Sequence, residues 1–246
     1  MWRYRTLLLV AGLFIAASAV LYLIHYSIFQ DLHHIFIFLL SDFAFLPLEV
    51  FLVVIVIERI LARREKQVVL KKLNMVIGAF FSEVGNSLLN GMLDHFHEKD
   101  EMRKALAVNQ HWTHNDFSKA ASYAISMDQQ PDYRDIDFEM LKKFLIQKRT
   151  FLLGLLENPN LLEHDRFTDL LWATFHLTEE LEARQSFKDL PESDIKHIAL
   201  DLQRVYRHLT TEWLLYVEHL KAQYPFLFSL VVRTQPFQES PSPVVI

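Results

Sequence analysis

The run IFIFLLSDFAFLPLEVFLVVIVI, Ile35–Ile57, constrains this chain more than any other stretch, because it is predominantly apolar, long enough to cross a bilayer, and continues into a charged helix. Its twenty-three residues, at about 1.5 Å of rise each, make roughly 35 Å of helix against a hydrocarbon core of about 30 Å. A membrane span over about 35–57 is expected. Three residues inside it are foreign to hydrocarbon: Asp42, Pro47 and Glu49. The two acids are seven residues apart and so fall within about 20° of one another on one helix face. Pro47 removes the bond to the Phe43 carbonyl and predicts a kink between them.

An earlier apolar run, Leu7–Ile28, follows MWRYR and predicts a first span over about 7–28. A signal peptide competes with this reading, since Arg3 and Arg5 form a basic start and Ala17-Ser18-Ala19 resembles a cleavage site. Against it, the apolar run continues nine residues beyond Ala19. The link Gln30-Asp31-Leu32-His33-His34 holds no Lys or Arg, whereas Arg59, Arg63, Arg64, Lys66, Lys71 and Lys72 follow the second span. The positive-inside rule then places both termini in the cytoplasm of a multi-pass protein of the plasma (cell inner) membrane. In an antiparallel hairpin Tyr22 falls near the depth of Asp42, and Phe14 or Ser18 near Glu49. The first span offers no cation. Glu49 is therefore protonated, hydrogen-bonded across an oligomer, bound to a cation or facing water. It serves either as glue between helices or as part of a proton or cation pathway; Ser18, Tyr22, Asp42 and Glu49 are the residues such a pathway would use. Two helices cannot enclose a pore, so the second role requires an oligomer.

Beyond the hairpin, about 180 residues remain, enough for one domain with its own core. The chain contains no cysteine, which excludes disulfides, thiolate zinc sites and iron–sulfur clusters. A net charge of −5 argues against nucleic acid as a partner. Only five glycines interrupt 246 residues, and no strand alternation outcompetes the helical period, so the expected class is all-α: a two-helix transmembrane hairpin continuing into a cytoplasmic helical bundle. The expected division is 1–58 for the hairpin, 59–96 for a long juxtamembrane helix, 97–233 for the cytoplasmic helical domain and 234–246 for a proline-containing irregular tail.

In the juxtamembrane stretch, Leu70, Leu73, Ile77, Phe80, Val84 and Leu88 recur at helical spacing and predict an unbroken helix to about Phe96. Gly78 and Gly85 lie within it. Either another helix approaches closely there or the pair forms a hinge below the membrane. Residues 97–115 read as polar and mixed. Further helices are expected over about Phe117–Met127, over Phe138–Leu156 capped by Asp135 or Asp137, and over Leu161–Arg184 with an Asn160/Glu163 capping box. A last long helix is expected to run from an Asp189/Glu192 capping box, with Pro191 in its first turn, to about Tyr224. Its buried stripe is Ile195, Ile198, Leu202, Val205, Leu209, Trp213, Tyr216 and Leu220. Tyr224–Val232 is apolar and is expected either in the core or against lipid or another subunit.

Phosphate-loop, dinucleotide, G-x-S-x-G and H-E-x-x-H signatures are absent, and nothing points to an enzyme or a cofactor. Among twelve histidines, ligand-like spacings occur at Asp94/His97, at His111, His114 and Asp116, and at Asp194/His197. No metal site is assigned, with His111, His114 and Asp116 held as the candidates. Asp194, His197, Asp201, Arg204 and His208 read as a solvated charged face, and His176 with Glu179 and Glu180 as a helix-surface pair.

Three blocks, KLNMVIGAFFSEVG at Lys72–Gly85, ENPNLLEHDRFTDLLWATFHLTEEL at Glu157–Leu181 and HLKAQYPFLFSLVVRTQPF at His219–Phe237, resemble a family of uncharacterised prokaryotic two-span integral membrane proteins with a helical cytoplasmic domain. The resemblance implies that topology and a prokaryotic plasma membrane, and carries no activity or site residue with it. The function expected is a homo-oligomeric membrane-anchored assembly or signalling module, binding lipid, other copies or a cytoplasmic protein partner. The alternatives are an oligomeric ion or proton conduit along Asp42 and Glu49, and a membrane-anchored metal-dependent enzyme.

Overall fold

The computed structural model describes residues 2–159, 161 and 164–245. Every regular element among them is helical, and the chain divides into two compact units, Met1–Lys66 and Gln67–Ile246.

The first unit holds helix α1, Trp2–Phe29, and the first part of α2, Leu32–Phe80. Over Leu9–Phe29 and Leu32–Glu65 these helices are long and apolar enough to cross a membrane, and no part of their most apolar windows is buried. The turn between them is short because Gln30 adopts the left-handed conformation, with φ 49°, and its N–H donates to the Tyr26 carbonyl at 2.9 Å. Asp31 then caps α2, its Oδ1 accepting from the His34 N–H at 3.1 Å. Pro47 lies inside α2 without ending it.

In the second unit the helix expected to run unbroken to about Phe96 changes its winding. A π-helical turn occupies Phe81–Gly85, and α3, Asn86–Leu93, follows. Adjacent side chains on a regular α-helix diverge by about 100°, so Phe80 and Phe81 would not both face a core; the wider turn lets both be buried. Gly85 makes the turn possible. A Cβ there would lie 2.5 Å from Phe81 Cδ1 and 3.2 Å from Phe80 Cε1. At Gly78 the space for a Cβ is taken by Tyr216, whose hydroxyl oxygen would lie 2.8 Å away. The Tyr216 ring stacks on Phe81 with centroids 5.4 Å apart, while Phe80 meets Phe167 edge-on at 5.3 Å.

The remaining helices are α4, Lys99–Leu106; α5, His114–Ser126; α6, Phe138–Leu156; α7, Asp165–Ala183; α8, Glu192–Gln223; and α9, Pro225–Thr234. α8 is the mast of this unit, packing on α3, α5, α7 and α9 and burying Ile198, Leu202, Val205, Leu209, Trp213 and Leu220. Several boundaries differ from the expected ones, each for a local reason. α4 forms inside the stretch read as mixed, because Met102 and Leu106 share a buried face. α5 begins at His114, three residues early, because Thr113 and Asp116 make a reciprocal capping box. α6 has the expected bounds, with Asp137 accepting from the Met140 N–H at 2.9 Å.

The Asp189/Glu192 capping box does not form. Pro191 disfavours helical backbone at Leu190, so α8 starts at Glu192 with Pro191 as its N-cap, and Asp189 turns into the left-handed region at φ 60°. The Asn160/Glu163 box lies outside the described residues. α7 starts instead after His164, whose Nδ1 accepts from the Phe167 N–H at 3.2 Å.

Beyond α9 the backbone is irregular, as Pro236 suggests, yet it is anchored. The Gln235 side chain accepts from the Val108 N–H at 2.8 Å and donates to the Val108 carbonyl at 2.6 Å. Phe237 is buried edge-on against Trp213 at 5.2 Å. In α9 itself Phe228 and Val232 enter the core, while Phe226, Leu227 and Leu230 stay exposed.

Candidate functional site

α7 and α8 run antiparallel and share a polar seam, because falling numbers on one meet rising numbers on the other: Arg184 with Asp194, His176 with Asp201, Arg166 with Glu212. At one end the Arg184 guanidinium grips Asp194 with two bonds, of 2.8 and 2.7 Å. Its Nη1 donates to Glu180 Oε2 at 2.8 Å and also to the Glu180 carbonyl. These hydrogen bonds hold the Glu180 and Asp194 carboxyls below the usual carboxylate range, and those donated to Asp194 foremost raise the Arg184 guanidinium.

Next along the seam come two imidazoles and two carboxylates. His176 and Glu180 are four residues apart on α7, and His197 and Asp201 four apart on α8, so each pair lies on one helix face. Asp201 Oδ2 is 3.5 Å from His176 Nε2 and 3.6 Å from His197 Nε2. Glu180 Oε1 is 3.9 Å from His176 Nε2, and its Oε2 is 3.7 Å from His197 Nε2. Arg204 donates to the other oxygen of Asp201, Oδ1, at 2.7 Å. Asp201 is only 2 % exposed, and its Oδ2 is buried with no hydrogen bond. Such an oxygen normally has a partner.

At the far end Glu212 is as deeply buried, 3.7 Å from the Arg166 Nε, with Oε1 lacking a hydrogen bond. Burial pushes its carboxyl up to about 7, with Arg166 pulling the other way. One turn earlier, burial and then Arg207 hold the His208 imidazole below its usual value.

Two readings of this region need correction. Asp201, read with Asp194, His197, Arg204 and His208 as a solvated face, projects instead into the α7–α8 contact, while His197 and Arg204 stay exposed. Nor is His176 paired with Glu179, which lies 4.0 Å from Arg149; its partner is Glu180. Among the described residues, the His and carboxylate group whose ligand atoms all fall within 4.8 Å of one another is His176, Glu180 and His197, with Asp201 beside them. The candidates His111, His114 and Asp116 are not brought together. Asp116 Oδ2 accepts from the Thr113 N–H and hydroxyl, both at 2.7 Å, and His114 Nδ1 lies 2.7 Å from Glu218. The signal available in sequence was the pair of H-x-x-x-[E/D] spacings either side of a short link.

In the first unit, Ser18, Tyr22 and His25 of α1 line a crevice of about 420 Å³ together with Ile35, Phe38 and Asp42 of α2. Glu49 is not among its lining residues. His25 was missed as a titratable group when the first apolar run was read as offering no cation; its ring stacks with that of His34, centroids 6.4 Å apart.

The family pattern described as the MJ1433 N-terminal helical domain matches residues 3–61, and that of the C-terminal helical domain of Uncharacterized protein MJ1433 matches residues 69–233. The break between the matches flanks the division at Lys66. The chain is 41 % identical over 233 residues to Uncharacterized protein MJ1433 of Methanocaldococcus jannaschii, covering 95 % of this chain and 94 % of the relative. No solved structure matches. With both helical domains matched in order and identity sustained across nearly the whole length, the chain belongs to the MJ1433 family.

Proposed function

We propose that the protein is a membrane-anchored helical module, in which α1 and the apolar half of α2 cross the plasma membrane as a hairpin and hold the unit 67–246 on the cytoplasmic face, where it binds other copies or a protein partner. The observation that carries this reading is that α1 and α2 are long and apolar enough to cross a membrane over Leu9–Phe29 and Leu32–Glu65 while their most apolar windows are wholly unburied; a core helix of a soluble domain would be covered. The Lys/Arg excess after Ile57 supports the orientation. A reporter fused after Ile246 is expected to be active only in the cytoplasm, and one inserted at Asp31 only outside. Export of the terminal fusion would sink the reading.

A second reading, an oligomeric proton or cation conduit, is favoured by the crevice that groups Ser18, Tyr22 and His25 with Asp42. Such a cluster of polar groups is costly in lipid unless it has a use. The two readings part at the membrane acids. If Asp42 and Glu49 are glue between copies, Glu49→Gln preserves assembly and Glu49→Leu weakens it by on the order of 1 kcal/mol per contact. If they line a conduit, Asp42→Asn and Glu49→Gln abolish pH- or cation-driven flux in liposomes with assembly intact. Normal assembly of all three variants, with no flux from wild type, would remove both roles.

A further inference from the structure

We propose that His176, Glu180, His197 and Asp201 bind one divalent transition-metal ion, of the zinc, cobalt(II), iron(II) or manganese(II) class, that clamps α7 to α8. The spacing of the four donors is the first argument. The Nε2-to-carboxylate distances run from 3.5 to 3.9 Å. A direct hydrogen bond between these atoms would bring them to about 2.7–3.2 Å. Ligand atoms arranged tetrahedrally at about 2.0–2.2 Å around one metal lie roughly 3.3 Å from one another, close to these His–carboxylate distances, and His176, Glu180 and His197 each offer an atom within 4.8 Å of the other two, with Asp201 Oδ2 near both imidazoles.

The second argument is the buried Asp201 Oδ2. It is the oxygen of that carboxylate turned toward both imidazoles, and it has no hydrogen-bond donor. Arg204 occupies only Oδ1. Arg184 holds Glu180 through Oε2, the oxygen that also lies 3.7 Å from His197, and leaves Oε1 toward His176. The two guanidiniums are positioning residues: each fixes a carboxylate by one oxygen and aims the other, as hydrogen-bonding groups around metal ligands do. The donor set names the metal class. Two imidazoles disfavour calcium and magnesium, the carboxylates disfavour copper(I), and N₂O₂ suits zinc, cobalt(II), iron(II) and manganese(II). Both histidines are half exposed, which gives the ion a way in and leaves room for a water ligand.

The test uses the full chain in detergent, with its affinity tag removed, stripped by chelator and titrated with Co²⁺. Wild type is expected to take up one Co²⁺ per chain with visible ligand-field absorption, to release it to Zn²⁺, and to melt at higher temperature when loaded. His176→Gln with His197→Gln, and separately Asp201→Asn, should lose stoichiometric uptake. Glu179→Gln, one residue away and facing Arg149, should bind as wild type does. Arg204→Gln should weaken binding by about 10–100-fold and shift the absorption bands. Because both imidazoles are half exposed, the double His variant is expected to keep the metal-free melting transition, so its loss of Co²⁺ reports ligation. Folded wild-type protein that takes up no Co²⁺, Zn²⁺ or Mn²⁺ would overturn the site, and so would uptake that survives the double His substitution. In that case the imidazoles serve only as neighbours of the two carboxylates.

Discussion

Ending the chain before Pro225 should unfold the helical unit at temperatures the intact protein tolerates, whereas ending it after Phe237 should leave its melting transition unchanged. Among the buried side chains that the shorter chain loses are Phe228, Val232 and Phe237. Buried Phe→Ala changes alone cost about 3–5 kcal/mol each, and the whole stability of a domain is about 5–15 kcal/mol. It also strips the Gln235 carboxamide from the buried Val108 peptide. Gln235→Ala isolates that contribution and should cost about 1–3 kcal/mol, the penalty of leaving buried backbone groups unpaired. Equal melting temperatures for the chain ending at Tyr224 and the intact chain would show that α9 serves an interface and not the core.

The second large effect concerns pH and Glu212. Its carboxyl titrates near 4.5 in an unfolded chain and is raised to about 7 by burial in the fold. Below pH 4.5 both states hold the proton and burial of the group carries no charge penalty. Above pH 7 both have lost it, and the fold bears the full difference, about 3 kcal/mol. Stability should therefore fall as pH rises from about 4.5 through 7. Glu212→Gln removes the titration, so the variant should gain on wild type at pH 8 and flatten the slope across that window. Glu180 and Asp194 act oppositely and lower down: their depressed carboxyls stabilise the fold above their unfolded values and lose that effect only as the solution turns acid. Denaturant melts at pH 5 and pH 8 decide the matter. Parallel pH slopes for variant and wild type would mean that Glu212 is not the group responsible.

The all-helical class was legible because scarce glycine and a 3.6-residue period recur through the second unit, and the stripe from Ile198 to Leu220 is the buried face of α8. Local chemistry also set the start of α6, where Asp137 caps it. What escaped the sequence depends on partners from elsewhere in the chain. Asp201 looks like a surface acid beside Leu202 until α7 is laid across it, and the four-residue spacings of His176–Glu180 and His197–Asp201 acquire meaning only once the two helices are antiparallel. The π turn escaped for a similar reason. Nothing in FFSEVG distinguishes two buried rings from one buried and one exposed, and the choice is made by Tyr216 and Phe167 on other helices.

The Gln235–Val108 clasp also sets a clock. The two residues are 127 positions apart, and at about 5–20 residues per second a ribosome needs on the order of ten seconds to deliver the second after the first. During that interval α1 and α2 are already complete while the Val108 peptide awaits the Gln235 side chain, and Trp213, once made, waits for Phe237. Closure of the helical unit over Val108 and Trp213 is thus a late event of synthesis. Until Gln235 and Phe237 emerge, the groups that they cover stay open for seconds, as surface exposed during folding does in chains with distant closing contacts.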